Sequence, residues 1–319
     1  MATDFVILLP GQGSQKVGMG KDLSEAFPAA RDVFDTVDAA LGIALSSLMF
    51  EGPADELTLT INAQPALLTH SAAAWAVVGD VLSGGSGGNR VLAAAGHSLG
   101  EFSAYHVAGA LSAAAAARIV RQRGALMYEQ GVARPGTMAA IIGSPTRSVD
   151  DICAEASETA GLVVPANYNS AEQIVISGEV AGVERAMELA KEAGAKRCLP
   201  LPVSGAFHSP LMAPAAAGLA AALDAESWQK PGVPVIANVN AEPVSEAATA
   251  RHLLVEQLTS PVRWTGIMQY LAATYPEATY LELGTGSVLS GLARRIAPGI
   301  KTMSCGTVAE VQAILDSHG

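Results

Sequence analysis

Arg90-Val-Leu-Ala-Ala-Ala-Gly96-His97-Ser98-Leu99-Gly100-Glu101-Phe-Ser-Ala-Tyr-His-Val-Ala108 is the stretch on which the fold turns. Residues 90–95 form a short apolar run of buried-strand type, and Glu101–Ala108 reads as helix. Between them lies a Gly-x-Ser-x-Gly. A serine on so sharp a strand-to-helix turn needs small neighbours on both sides, because the backbone is strained and a Cβ would clash. The turn pushes the hydroxyl outward and leaves it at a helix N-terminus, where backbone N–H groups favour developing negative charge. The chain has 32 glycines, so the bare pattern alone is weak. The strand-turn-helix setting is what makes Ser98 a candidate nucleophile rather than an incidental turn residue.

Outward from this turn the same alternation continues. Phe5–Leu9 reads as a strand running into the turn-rich loop Pro10-Gly-Gln-Gly-Ser-Gln15, and helical patterns follow at Leu23–Leu41 and Gln64–Leu82. Ser83–Gly88 reads as a flexible connection into the strand before Ser98. Such alternation implies a parallel sheet covered on both faces. The middle of the chain differs: strand Thr137–Gly143, helix Arg147–Thr159, strands Leu162–Asn167 and Gln173–Ser177, helix Val180–Ala193, strand Ala195–Val203. The order β-α-β-β-α-β is the split-βαβ, ferredoxin-like arrangement. The α/β pattern then resumes with strand Val233–Val239, helix Glu246–Leu258, strand Thr279–Leu283 and helix Val288–Ile296. The expected architecture is therefore α/β. A large α/β-hydrolase-like domain with a parallel sheet, residues 1–132 and 205–319, carries an inserted small ferredoxin-like (βαββαβ) domain at 133–204. The cleft between them should lie near Ser98.

Composition narrows the function. Half of the 319 residues are hydrophobic and only 5% aromatic, so a large core is built from Ala, Val, Leu and Ile. A net charge of −11 argues against nucleic acid as a partner, since phosphate binding needs a basic face. Cys153, Cys198 and Cys305 lie far apart with no C-x-x-C, which suggests neither a zinc site nor a disulfide framework. The apolar run Phe5–Leu9 is too short for a signal-peptide core and lacks a basic lead. No apolar run reads as membrane-spanning; Ala113–Ala117 is broken by Arg118. The expectation is a cytoplasmic enzyme.

A serine nucleophile needs a base, and there are six histidines. His70 and His106 sit in Ala-rich helical patterns and read as packed or capping imidazoles. His97 precedes the serine and should point away from it in a structural role. His252 lies on a predicted surface helix, and His318, the penultimate residue, is expected to fray. His208 remains, in Ser204-Gly-Ala-Phe-His-Ser-Pro210, a loop over the predicted cleft. Position favours it as base over bystander. In the helix around it, Arg123 falls in the middle of the apolar stripe set by Ile119, Val120, Leu126 and Met127, with Arg118, Gln122 and Glu129 opposite. An inward arginine is costly unless it meets an anion. A buried pair with an internal acid and recognition of an anionic substrate both satisfy that, and local spacing supplies no acid. Gly284-Thr-Gly286 opens a helix, but Leu289 stands where a dinucleotide fingerprint needs glycine. The Pro10–Gln15 loop lacks the Lys-Ser/Thr of a P-loop. It is either a supplier of backbone N–H groups beside the serine or a structural turn.

Six motifs now stand in order: Pro10-Gly-Gln-Gly-Ser-Gln15, Gly96-His-Ser-Leu-Gly-Glu101, Gln122-Arg-Gly124, Asn167-Tyr-Asn-Ser170, Gly205-Ala-Phe-His-Ser209 and Gln257-Leu-Thr-Ser-Pro-Val-Arg-Trp264. Together they resemble the malonyl-CoA:acyl carrier protein transacylases of type II fatty acid synthesis over essentially the whole chain. The resemblance implies Ser98 as nucleophile, His208 as base and Arg123 as the group binding the malonyl carboxylate. It implies that the backbone N–H groups of Gln12 and Leu99 form the oxyanion hole. The main-chain carbonyl of Gln257 would orient the histidine in place of a triad acid. The Ala-Phe pair before His208 is the form associated with malonyl selectivity. The implied reaction is ping-pong acyl transfer from malonyl-CoA to acyl carrier protein by a monomer, with no cofactor, coenzyme A thioester being a substrate. A serine thioesterase or hydrolase, a non-catalytic acyl-binding subunit, and malonyl transfer serving a polyketide or malonate decarboxylase system are the alternatives. Acyl carrier proteins are acidic, so docking on a chain at −11 calls for a local basic patch. Lys191, Lys196 and Arg197, with Arg294 and Arg295, are the candidates, although each cluster also reads as an ordinary solvated face.

Overall fold

The computed structural model describes residues 2–84, 88–203 and 205–319. The middle of the Ser83–Gly88 connection and Ser204, at the end of the segment read as inserted, lie outside the described residues. Ten strands form two sheets: β1 Asp4–Leu9, β2 Arg90–Gly96, β3 Thr137–Ile142, β4 Val163–Ser170, β5 Gln173–Gly178, β6 Arg197–Pro200, β7 Val235–Ile236, β8 Pro243–Val244, β9 Thr279–Leu283 and β10 Lys301–Cys305. The larger sheet has the order β10-β9-β1-β2-β7-β8 and is parallel except for the β7–β8 pair. β1 is its centre. Phe5, Ile7 and Leu9 point into one core, Val6 and Leu8 into another, and all five are fully buried. That is why this strand is a continuous apolar run rather than an alternating one.

The smaller sheet has the order β4-β5-β3-β6 with every pair antiparallel. Helices Val149–Thr159 and Val180–Glu192 pack on one face, over Ala139, Ile141 and Ile176. The alternate residues Met138, Ala140 and Val175 join the core of the larger sheet. β4 is stitched to the large part: Tyr168 N donates to Val262 O (2.9 Å), and Val262 N donates to Ala166 O (2.8 Å).

Several expected elements are reshaped by local chemistry. The helix expected at Leu23–Leu41 is two, Lys21–Ala26 and Pro28–Leu41. Pro28 forces Phe27 into extended backbone (φ −125°, ψ 116°), then opens the second helix at its first position. The helix expected from Gln64 begins at Thr60 and runs through Pro65 to Leu82. Pro65 cannot donate to Ile61 O, and Arg121 Nη1 does so instead at 2.9 Å. This 23-residue helix is long and apolar enough to cross a membrane, contrary to the expectation that no run would be. It is nonetheless a core helix, with 72% of its most apolar window buried inside the protein. The strand expected at Val233–Val239 shrinks to Val235–Ile236, because Pro234 has no N–H and Asn238 is turned toward the elbow. The strand expected at Ala195–Val203 is regular only over Arg197–Pro200, with one further backbone bond from Leu201 N to Met138 O (2.9 Å).

Candidate active site

The elbow is built by close backbone approach. A Cβ on Gly96 would lie 1.9 Å from Gly100 C, and one on Gly100 would lie 2.2 Å from Leu9 O. Both positions are therefore closed to side chains by the turn's packing on itself and on β1. Ser98 itself sits at φ 52°, a left-handed conformation that a serine adopts only when its surroundings impose it. The imposing group is Asn238. Its Nδ2 donates to Gly96 O (2.7 Å) and its Oδ1 accepts from Ser98 N (2.7 Å), clamping the turn from both sides.

His208, also at positive φ (57°), brings Nε2 to 2.7 Å from Ser98 Oγ. Its Nδ1 lies 2.9 Å from the Gln257 backbone carbonyl. A carbonyl only accepts, so Nδ1 carries the proton and Nε2 is left to accept from the serine. Burial, reinforced by the Arg123 charge, pushes the imidazole pKa down to about 3. His208 is thus neutral at pH 7, with Nε2 placed to accept from the serine.

Arg123 is 1% exposed, as the helical-wheel count requires. Nη1 donates to Gln64 Oε1 (2.8 Å), and Nη2 donates to Gln257 Oε1 (2.9 Å) and Ser98 Oγ (3.3 Å), while the carbon centre lies 5.4 Å from the Phe102 ring. Nε has no partner among the described residues. Every acceptor it meets is neutral. Burial pulls its pKa down to about 10, which still leaves the guanidinium charged at neutral pH.

A cavity of about 220 Å³ opens on these groups, with Gln12 and Leu99 in its wall and Met138, Leu201 and Phe207 facing them. Gly11 lets the β1 loop meet the elbow, since a Cβ there would lie 2.5 Å from His97 O. Neither the Gln12 nor the Leu99 N–H meets a backbone or side-chain acceptor among the described residues. His97 does not point away from the site. It lines the same cavity, with Nε2 2.7 Å from Asn169 Oδ1. His106 caps its turn (Nδ1 to Leu111 O, 2.9 Å), and His252 is exposed. His318 is packed rather than frayed, its ring 5.1 Å from Phe5 edge to face. Lys191, Lys196, Arg197, Arg294 and Arg295 are all exposed, outside the cavity. Sequence reasoning did not single out Asn238, Gln64 or Glu101. Glu101 carried a faint signal, an acid in a short helix with no other charged residue.

A neutral histidine on a strained serine, beside a charged arginine in one pocket, is the equipment of covalent acyl transfer. Residues 6–303 match the family model described as acyl transferase domain, and the chain belongs to that family. Within it the similarity runs to one kind of enzyme. The malonyl CoA-acyl carrier protein transacylase of Bacillus subtilis (strain 168) is 48% identical over 300 residues, spanning 94% of this chain and 92% of the relative. The crystal structure of acyl-carrier-protein-S-malonyltransferase from Bartonella henselae superposes with TM-score 0.92 at 46% identity, covering 100% of both chains. A malonyl-transacylase in complex with its type II PKS acyl-carrier protein superposes with TM-score 0.91 at 40% identity, over 99% of this chain and 100% of that one.

Proposed function

We infer that this enzyme moves the malonyl group of malonyl-CoA onto the phosphopantetheine thiol of acyl carrier protein, feeding fatty acid biosynthesis. The observation that carries the reading is Arg123: a buried guanidinium with only neutral acceptors, 3.3 Å from the Ser98 hydroxyl. A free carboxylate on the acyl group is the anion it lacks. A plain hydrolase of neutral acyl chains gives such a charge nothing to bind.

His208 Nε2 takes the proton of Ser98 as Oγ attacks the thioester carbonyl carbon. The Gln12 and Leu99 N–H groups hold the resulting oxyanion. The carbon–sulfur bond breaks, and the leaving thiolate takes the proton back from His208. The carrier-protein thiol then reverses these steps on malonyl-Ser98. Gln257 contributes its carbonyl to keep the Nδ1–H tautomer. Each step uses protein groups alone, so no cofactor enters. We read residues 133–204 as an inserted ferredoxin-like domain, on the strand order β4-β5-β3-β6, and 1–132 with 205–319 as the large α/β-hydrolase-like domain. The enzyme works as a cytoplasmic monomer. The carrier protein docks on Lys191, Lys196 and Arg197 with Arg294 and Arg295, where the need for local positive charge on an acidic protein supports the choice.

The test is to incubate the protein with radiolabelled malonyl-CoA, with and without acyl carrier protein. Label should appear on the carrier protein, and intact mass after brief exposure should show one malonyl group, absent in Ser98→Ala. Free malonate as the main product would make this a hydrolase. An adduct persisting in Ser98→Ala would remove Ser98 as nucleophile.

A further inference from the structure

Helix Gly100–Val107 carries, besides the elbow, an acid with no solvent exposure at all: Glu101, three residues beyond the serine. A carboxyl so deeply buried is costly unless its oxygens are hydrogen-bonded. Only one is. Oε2 accepts from Asn238 N (3.1 Å) and Gln257 Nε2 (2.7 Å), while Oε1 has no partner among the described residues.

Gln257 is where the rest of the site converges. Its backbone carbonyl receives His208 Nδ1–H (2.9 Å), and its side-chain Oε1 receives Arg123 Nη2 (2.9 Å). Its Nε2 donates to Glu101 and to Ser98 O (3.1 Å). The amide cannot turn over. A guanidinium only donates, so Oε1 must face Arg123; a carboxylate only accepts, so Nε2 must face Glu101. Each charge fixes one end of a neutral amide lying between them.

We propose that Glu101, as the carboxylate, is a positioning residue for the transfer reaction, anchoring Gln257 and through it holding His208 and Arg123 on Ser98. This rests on the acyl-transfer reading above. Around Glu101, Arg123 is the one cation among the described residues, on the Ala113–Ala133 helix; Tyr105, whose hydroxyl has no partner among them, lies on the same helix as Glu101, and His208 stands beyond Gln257. Burial outweighs Arg123, Gln257 and Asn238 and lifts the carboxyl pKa to about 7. Protonation removes the charge, weakens Oε2 as an acceptor and loosens the amide. His208, held near 3, does not titrate in the range where Glu101 does.

The experiment is single-turnover acylation of Ser98 by malonyl-CoA, by rapid quench from pH 5.5 to 9, on wild type, Glu101→Gln and Gln257→Met. Wild type should lose rate on the acid side through one ionisation. Glu101→Gln keeps the shape without the charge. It should acylate about ten- to a hundredfold more slowly at high pH, with that acid limb gone and a rate matching the wild-type low-pH limit. Gln257→Met keeps the carbonyl on His208 but cuts the amide link, and should lose the acid limb too; it serves if Glu101→Gln does not fold. A wild-type rate in either variant, or the wild-type acid limb surviving at reduced rate, overturns the proposal. Absence of any malonyl adduct in wild type instead overturns the acyl-transfer reading, and this inference with it.

Discussion

Two cavities lie behind glycine-bearing turns of the same parallel sheet, and each holds a buried histidine. One, about 220 Å³, holds Ser98 and His208 beyond β1 and β2. The other, about 350 Å³, lies beyond β9 and β10 between Gly284–Ser287, Gly306 and the 16–22 segment, with His70 in its wall. Burial is the leading cause that pushes both imidazoles down, His208 to about 3 and His70 to about 4. By residue type and burial alone they are equivalent. Their neighbours separate them. At the larger cavity the helix N-termini are already closed by carboxylates. Glu310 takes the N–H groups of Gly306 and Thr307, Asp22 that of Val308, and Glu282 those of Leu289 and Ser290. His70 Nδ1 meets nothing among the described residues. At the smaller one a hydroxyl is held on the imidazole, two N–H groups are left open, and a guanidinium has no anion in hydrogen-bond contact. The contrast teaches that a buried histidine becomes a base through unsatisfied partners around it, not through its own perturbation.

The largest expected effect tests the unmatched guanidinium. Arg123→Ala should cost malonyl transfer about 2–5 kcal/mol, the usual toll of removing one partner of a buried charge pair, and should cost acetyl transfer far less. Steady-state rates with malonyl-CoA and acetyl-CoA check it. Equal losses would make Arg123 structural and erase the main difference between the cavities.

His70 offers a middle-sized effect, on stability rather than rate. Its folded pKa is depressed from 6.5 to about 4, so the unfolded chain protonates first as pH falls. The stability associated with keeping it neutral is fully present above 6.5 and is lost as pH drops toward 4, on the order of 3 kcal/mol. His70→Leu should therefore flatten the decline of denaturation midpoint between pH 6.5 and 4, with Ser98 acylation staying within about twofold of wild type. A loss of acylation would show the two cavities to be coupled.

The smallest effect concerns the surface. Exposed charges contribute about 0.2–1 kcal/mol each, so reversing both Arg294 and Arg295 to Glu should raise the KM for acyl carrier protein by about three- to tenfold. Malonyl-serine formation from malonyl-CoA should be unchanged. A carrier-protein step indifferent to the reversal and to salt would place the dock elsewhere.

Much of this is legible in the sequence. The elbow was readable because its glycines are dictated by contacts within a few residues of one another, and Arg123 because a helix fixes side-chain direction by count. The strand-helix order followed from apolar runs and Gly/Pro punctuation. What was not legible comes from distant segments meeting. By its neighbours Asn238 is one more strand residue, yet it clamps a turn 140 positions away. The sequence alone turns His97 away from the serine because nothing local reveals Asn169. The first turn of the helix Thr60–Leu82 is hidden because Pro65 argues for a start at Gln64, and only the tertiary partner Arg121 serves the carbonyl that proline abandons.

The sequence by itself determined the architecture's order, the strained serine and the inward arginine, since periodicity and steric exclusion act along the chain. Only the tertiary structure brings His208 to 2.7 Å from the serine hydroxyl and leaves the arginine hydrogen-bonded to no carboxylate. It alone also shows Gln257 joining both to Glu101. Hydrogen bonds and buried charges depend on which groups lie within about 3 Å, and between distant segments the folded core settles that distance.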